Sequence, residues 1–456
     1  MLNSAVRKVI CILTICIMLV SFGACSQTPA TSENETTSTS SAGTTKNEGQ
    51  SAGTVDNSPK VLTLLGFLKP GGDSPREKGA GELLKVFTEK TGYTLECEIV
   101  GWEQVEQKLL IAVESGDPPD VTFVRSQSLS IEANANALLP LDSYIEKDFD
   151  QATRDDYLLW DQIGMYKGTK YTLPMSIIPY GLYVRDDIYK ANNISEDPKT
   201  WDDMINVAKK IKTNESFGFL FWGSAAQPAA IDYLQPIVEG FGGKLIDENE
   251  KGVFNSPEAM EGFKLIKRLV YDGDIVPDNI ASIKYDEASD MFTSGRASMY
   301  IDGAHRFSKY AGGIGAENLR LVKIPGPTAD KPSPSFVSYW SLGIPANSKN
   351  PDIAWEYIKN FTTPENQVTY SKISGEVAVR KSSLEDTFFK EDANGQRIKW
   401  FIDYVAERGT VAIAPVQFNK LSEILSLAVQ EIISSPDSNV EEIVNKACEE
   451  YNKAIS

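Results

Sequence analysis

The chain of 456 residues carries a single histidine, His305, and that count restricts the chemistry open to it. A zinc site of the HExxH kind needs two imidazoles on one helix face and is excluded, while any Ser-His-Asp or Cys-His arrangement would depend on His305 alone. Neither Cys97 nor Cys448 stands in a nucleophile-like stretch, and no GxxxxGK[ST] phosphate loop or strand-following GxGxxG fingerprint occurs. Two carboxylates about 5 to 10 Å apart suffice for glycoside hydrolysis. With 63 acidic residues such pairs are unavoidable, so their presence has little specificity. The stretch DENEKGVFNSPE sets Asp247, Asn249, Gly252 and Glu258 at positions 1, 3, 6 and 12 of an EF-hand loop. Lys251 then falls where an oxygen ligand belongs and Pro257 opens a helix, so a turn between elements is the better account.

The aromatic residues point elsewhere. Phe67, Trp102, Trp160, Tyr180, Trp222, Tyr233, Tyr339 and Trp340 lie in or beside expected loops. Flat rings stack on the apolar faces of sugars while amides and carboxylates take the hydroxyls. A single ring in such a place is more often core than contact, so the argument rests on their number.

The elements that must position these residues alternate. KVLTLLGF (60–67) reads as a buried strand, and GAGELLKVFTEKTGYTLECEIV as an amphipathic helix followed by a strand in which Leu95, Cys97 and Ile99 alternate. WEQVEQKLLIAVESGDPPDVTFV repeats the helix, turn and strand. Such alternation predicts a parallel sheet covered by helices, an α/β arrangement, with ligands outside the carboxyl ends of the strands, after Phe67 and Val124. Further on, Thr200 before Trp201 and Pro257 mark helix starts, and the chain after residue 420 reads as helical to its end. The part from about Pro59 onward has close to 400 residues, beyond the roughly 250 to 300 at which one core stops growing, so two lobes are expected.

The amino-terminal segment has the layout of an export signal: Arg7 and Lys8, an apolar run from Val9 to Val20, then Gly23, Ala24 and Cys25. The run is too short for the about 20 residues that span a bilayer. Residues 26–58, rich in Ser, Thr, Asn and Gly, cannot bury enough surface to repay ordering and read as a tether reaching roughly 30 Å. Removing residues 1–24 takes two cations from a formal net charge of −18 and leaves −20. A chain so acidic is repelled by nucleic acid, which is excluded as a partner. Cys11 and Cys16 fall in the signal, so two thiols, Cys97 and Cys448, remain besides Cys25, too few for a disulfide scaffold.

Several phrases in order resemble the extracellular solute-binding proteins of ABC importers, in the carbohydrate-binding family related to maltose-type binding proteins. They run from ESGDPPDVTFV through LPMSIIPYGLYVRDDIYKANNISEDPKTWDDMINVAKKI to GFGGKLIDENEKGVFNSPEAMEGFKLI, and continue in MFTSGRASMYIDG and YWSLGIPANSKNPDIAWEYIKNFTTPENQ. The position of Cys25 likewise resembles the lipobox of bacterial lipoproteins, with Phe22 where that motif usually carries Leu. Two further departures are GAHRF, where the family often has Trp after the glycine, and GEVAVR, with Ala378 in place of proline.

The resemblance implies a two-lobed α/β fold of the type II periplasmic-binding-protein kind, with three crossings near 173–181, 336–342 and 411–418. Residues 1–24 would be the lipoprotein signal peptide and 25–58 the disordered tether lipidated on Cys25. One lobe would comprise 59–176 plus 341–411, the other 177–340 plus 412–456. Cys97 and Cys448 would then lie in different lobes as free, packed thiols. Carried over position by position, the cleft would hold Phe67, Arg125, Ser176, Tyr180, Trp222, Tyr233, Asp302, His305, Tyr339, Trp340, Glu376 and Gln417. Stacking would fall to Trp222, Tyr233 and Trp340, and hydroxyl recognition to Arg125, Asp302, Glu376 and Gln417. The resemblance implies no catalytic residue, no metal and no cofactor. The implied function is capture of a sugar or oligosaccharide by a monomer, lipid-anchored to the outer face of the cell membrane, for an ABC permease with its ATPase. A non-sugar solute, such as a glycerophosphodiester or peptide, is the alternative, followed by a secreted glycan-acting enzyme.

Overall fold

The computed structural model describes residues 60–226 and 229–456. The signal segment, Cys25 and the Ser/Thr-rich stretch lie outside the described residues.

Three strands open the chain: β1 (Val61–Gly66), β2 (Thr94–Ile99) and β3 (Val121–Arg125). They pair in parallel with β1 in the middle. Helix α1 (Pro75–Thr91) links β1 to β2, and α2 (Val105–Glu114) links β2 to β3, as the alternation requires. The start of α1 is locally specified: Ser74 accepts from Glu77 N at 3.3 Å, and the Glu77 carboxylate accepts from Ser74 N at 3.0 Å. Gly92, at φ +76°, ends it in the left-handed region. β2 is the sheet edge, which is why Ile99 stays exposed although it alternates with Leu95 and Cys97.

The parallel pairing expected of the first three strands is found, and beyond β3 the sheet becomes mixed. After the small hairpin of β4 (Met165–Tyr166) and β5 (Thr169–Lys170), the long strand β6 (Thr172–Arg185) pairs antiparallel with three others. These are β7 (Met299–Gly303), β8 (Leu319–Val322) and β9 (Ser335–Gly343). The strand order is β2-β1-β3-β9-β6-β7, with β8 also on β6 and β10 (Gly409–Val411) parallel to β9. β6 changes partners along its length: Thr172 to Pro179 face β9, and Tyr180 to Val184 face β7. Its two prolines, which cannot donate to a ladder, sit at a bulge (Pro174) and at the change of partner (Pro179). Thus the three segments expected as crossings lie side by side. Gln235 fixes the last of them, its amide donating to Val411 O at 2.9 Å and accepting from Ile413 N at 3.1 Å.

Helix ends expected from the sequence are found. Thr200 caps Trp201–Ile211, accepting from Asp203 N at 3.1 Å, and Ser256 with Pro257 starts Pro257–Tyr271. The carboxyl-terminal region is helical, as expected, in two helices, Phe418–Ile433 and Val440–Ala454. Pro436 and the capping Asn439, which accepts from Glu442 N at 3.3 Å, impose the break. The calcium-like segment is a turn in which Asp247 Oδ1 accepts from Asn249 N and Lys251 N, both at 2.9 Å. Cys97 and Cys448 are free thiols.

Candidate ligand-binding cleft

The sheet brings most of the candidate residues together through register. Arg125, last in β3, stands opposite Trp340 of β9, and Trp340 stands opposite Ser176 of β6. Further along β6, Tyr180 is opposite Gly303, next to Asp302 and His305. These positions are far apart in sequence, and pairing alone makes them neighbours.

At the β1 end, Phe67 packs on Trp340 with ring centroids 4.2 Å apart and meets Phe123 edge-on at 5.2 Å. Arg76 of α1 lies over Phe67 at 5.3 Å, and its Nε is 3.1 Å from Glu376 Oε1. Burial acts to lower the Arg76 pKa, but Glu376 and Tyr370 outweigh it and leave it raised. Arg76 is held charged.

In the middle, Tyr180 donates to Asp232 Oδ2 at 3.2 Å, and the Asp232 charge acts on Arg125. Burial pushes the Asp232 carboxyl up to about 6, against the opposing pull of Arg125 and the Tyr180 hydroxyl. Arg125 is itself lowered by burial, although Asp232 and Glu106 act to raise it.

At the β7 end, Asp302 is fully buried and accepts from Tyr285 at 3.0 Å, from Gly303 N at 2.7 Å and from the Tyr310 hydroxyl. Burial still carries its carboxyl up to about 6. His305 Nε2 is 3.3 Å from the Tyr285 hydroxyl, and Nδ1 is buried without a hydrogen bond. Burial, with Arg306 and Arg76 adding, presses the imidazole down to about 3, so it is neutral at pH 7. Trp222 and Tyr233 join through Tyr285: Trp222 meets the Tyr233 and Tyr285 rings edge-on, each at 4.9 Å. The Tyr233 hydroxyl is spent on Trp222 O at 2.9 Å, while Trp222 Nε1 is buried without a partner.

Two candidates stand apart from this cluster. Tyr339 adjoins Trp340 in β9, so alternation sends it to the other face of the sheet, where its hydroxyl accepts from Gly164 N at 3.0 Å. Gln417 is exposed at the start of Phe418–Ile433, and its carbonyl accepts from Leu421 N at 3.0 Å. Conversely, Arg76, Asp232, Tyr285, Arg306 and Tyr310 belong to the cluster and were not singled out from sequence. Two surface cavities, of about 560 Å³ beside α1 and about 480 Å³ between Gln151 and Gln162, share no lining residue with it.

What the cluster offers is a set of buried aromatic faces ringed by carboxylates, guanidinium groups and hydroxyls. Among the described residues, no group of three or more His, Cys, Asp or Glu could hold a metal ion.

A family model described as "Bacterial extracellular solute-binding protein" matches residues 71–368. The chain belongs to that family. It is therefore a solute-binding protein and not an enzyme, and membership implies export. No helix among the described residues is long and apolar enough to cross a membrane. This solute-binding protein is similar to the diacetylchitobiose binding protein DasA of Streptomyces coelicolor, 25% identical over 399 residues, 83% of each chain. It is also similar to a maltotriose-binding protein of Pyrococcus abyssi, 26% identical over 300 residues, 63% of this chain and 60% of the other. An ABC transporter solute-binding protein of Thermotoga lettingae, bound with alpha-D-tagatose, superposes with a TM-score of 0.71 at 22% identity. It covers 87% of this chain and 100% of that one. The fold is the two-lobed α/β arrangement of maltose-type binding proteins, as the sequence led one to expect.

Proposed function

We propose that this protein captures a sugar or oligosaccharide in the cleft between its lobes and delivers it to an ABC permease. The observation that carries the reading is the single cluster in which Phe67, Trp340, Arg76 and Glu376 meet Tyr180, Asp232, Asp302 and His305. It supplies rings for the apolar faces of a sugar and charged or hydroxyl groups for its rim. Relatives named for maltotriose and diacetylchitobiose support the same class of ligand.

On this reading the lobes are 59–176 plus 341–411 and 177–340 plus 412–456, with β6, β9 and β10 as the connecting segments. Ligand favours the closed arrangement by its greater affinity for it, and the permease reads that state. Cys25 would carry the lipid and residues 26–58 the slack that keeps the receptor, a monomer, at the outer face of the membrane. Among the twelve candidates, Phe67 and Trp340 would stack, Arg125, Asp302 and Glu376 would take hydroxyls, and Ser176 would contribute its buried, unpartnered hydroxyl.

A thermal-shift screen of mono- and oligosaccharides tests this. A sugar at 100 times its dissociation constant is expected to add about 2.7 kcal/mol of stability. A shift with a glycerophosphodiester or a peptide and none with any glycan would overturn the sugar assignment. Mass spectrometry of the mature amino terminus tests the lipid on Cys25.

A further inference from the structure

Trp102 is 45% exposed, in contrast to the buried Trp222 and Trp340. It opens the short turn Trp102–Gln104 between β2 and α2, at the carboxyl end of the edge strand. Phe67 and Arg125 leave β1 and β3 at the same end of the parallel strands. One side of the indole is taken by Arg125, whose guanidinium carbon lies 5.1 Å from the ring centroid.

The surroundings of the ring are polar in a particular way. Arg125 Nε donates to Gln127 Oε1 at 2.8 Å, the guanidinium's one hydrogen bond among the described residues. Glu106, four residues on from Trp102, is close enough to Arg125 for their charges to interact. The Asp232 charge also acts on this guanidinium. An exposed indole therefore carries a guanidinium over one face, and that guanidinium is within charge range of the Glu106 carboxylate.

A pyranose has an apolar face of C–H bonds and an equatorial rim of hydroxyls. Indole stacks on the first, while guanidinium and carboxylate bind the second. We propose that Trp102, with Glu106 and Arg125, forms an outer subsite at the mouth of the cleft that stacks one ring of an oligosaccharide. Chain length is then sensed there, and the inner ring of the ligand lies against Phe67 and Trp340. The inference rests on the sugar reading. It differs from a supporting role, in which Trp102 only props Arg125, because support would affect every ligand alike.

Calorimetric titration of the folded chain with glucose, N-acetylglucosamine and galactose, and with their di- to tetrasaccharides, tests it. Trp102→Ala is expected to weaken the longest sugars bound by roughly 5- to 10-fold and the shortest by no more than about twofold. Trp102→Phe is expected to recover most of the loss. Equal weakening at every length would assign the residue to supporting Arg125, and no weakening at any length would remove it from the site; either overturns the subsite while sugar binding stands. If the unaltered protein bound none of these sugars but did bind a phosphodiester or peptide, the sugar reading and the subsite would fall together.

Discussion

Two arginine–carboxylate pairs meet the same short loop, Gly375 to Lys381, and they are built differently. Arg380 Nε lies 2.6 Å from Asp156 Oδ2, and its Nη1 donates to Thr362 O at 3.2 Å. Asp156 also accepts from Ser382 N at 2.7 Å and Ser382 Oγ at 2.6 Å. Tyr157 lies under the guanidinium at 4.4 Å and spends its hydroxyl on Thr362 Oγ1 at 2.8 Å. Arg76 and Glu376 also have a buried tyrosine beside them, Tyr370. There, however, Arg76 Nη2 and the Tyr370 hydroxyl are buried without a well-formed hydrogen bond. The first set is saturated and the second is not. A saturated network rigidifies a fold, whereas buried polar atoms left open are costly unless something else satisfies them. On the proposed reading, that something is ligand or water at this site.

The largest expected effect tests the saturated side. Arg380→Ala leaves Asp156 without its cation and should cost about 3 kcal/mol, read from the denaturant midpoint, with affinity of the folded protein little changed. Glu376→Gln should do the reverse, costing less than about 1 kcal/mol because Arg76 is 26% exposed and water can replace the lost partner. It should weaken ligand binding by about tenfold. Equal destabilisation by the two substitutions would break the comparison.

The carboxylates divide in the same way. Asp156 is lowered: burial pushes it up, but the bonds from Ser382 and Arg380 prevail, so its contribution to stability is lost only as pH falls through its folded pKa, under the ordinary aspartate value. Asp302 is raised by burial to about 6, so the folded state holds its proton more tightly than the unfolded chain. Its contribution is full below about pH 4 and is lost as pH rises through about 6. The melting temperature should therefore rise between pH 7 and pH 5, by an amount equivalent to about 2 kcal/mol at most from this group. In Asp302→Asn that rise should shrink, and a rise of unchanged size would remove Asp302 as its source.

The smallest effects come from single hydroxyls. Tyr157→Phe removes a made hydrogen bond and should cost about 1 kcal/mol. Tyr370→Phe removes a hydroxyl with no well-formed hydrogen bond, so its stability change should stay within about 0.5 kcal/mol, measured in the same denaturant titration. A larger loss at Tyr370 than at Tyr157 would reverse the distinction between the two sets.

How far the site could be read in advance depended on range. Phe67 and Arg125 follow from strand ends, because an α/β alternation says where the carboxyl ends lie. Asp302, His305 and Glu376 followed from the family resemblance. Asp232, next to the chosen Tyr233, and Arg76, in the first turn of α1, have no local signature. Each acquires its place only through a partner more than fifty residues away, Tyr180 for one and Glu376 for the other. Tyr339 shows the opposite failure: it belongs to the right strand, but alternation with Trp340 sends it to the other face.

By itself the sequence determined the local elements, because caps, prolines and periodicity act over a few residues: Ser74 with Glu77, Thr200 with Asp203, and Ser256 with Pro257. It determined, too, the single histidine and the excess of acid that exclude whole classes of chemistry. Only the tertiary structure decided that β9 runs antiparallel between β3 and β6, and so which side chains share the candidate site. Strand register is settled by contacts across more than a hundred residues, and moving it by one position would turn every side chain to the opposite face.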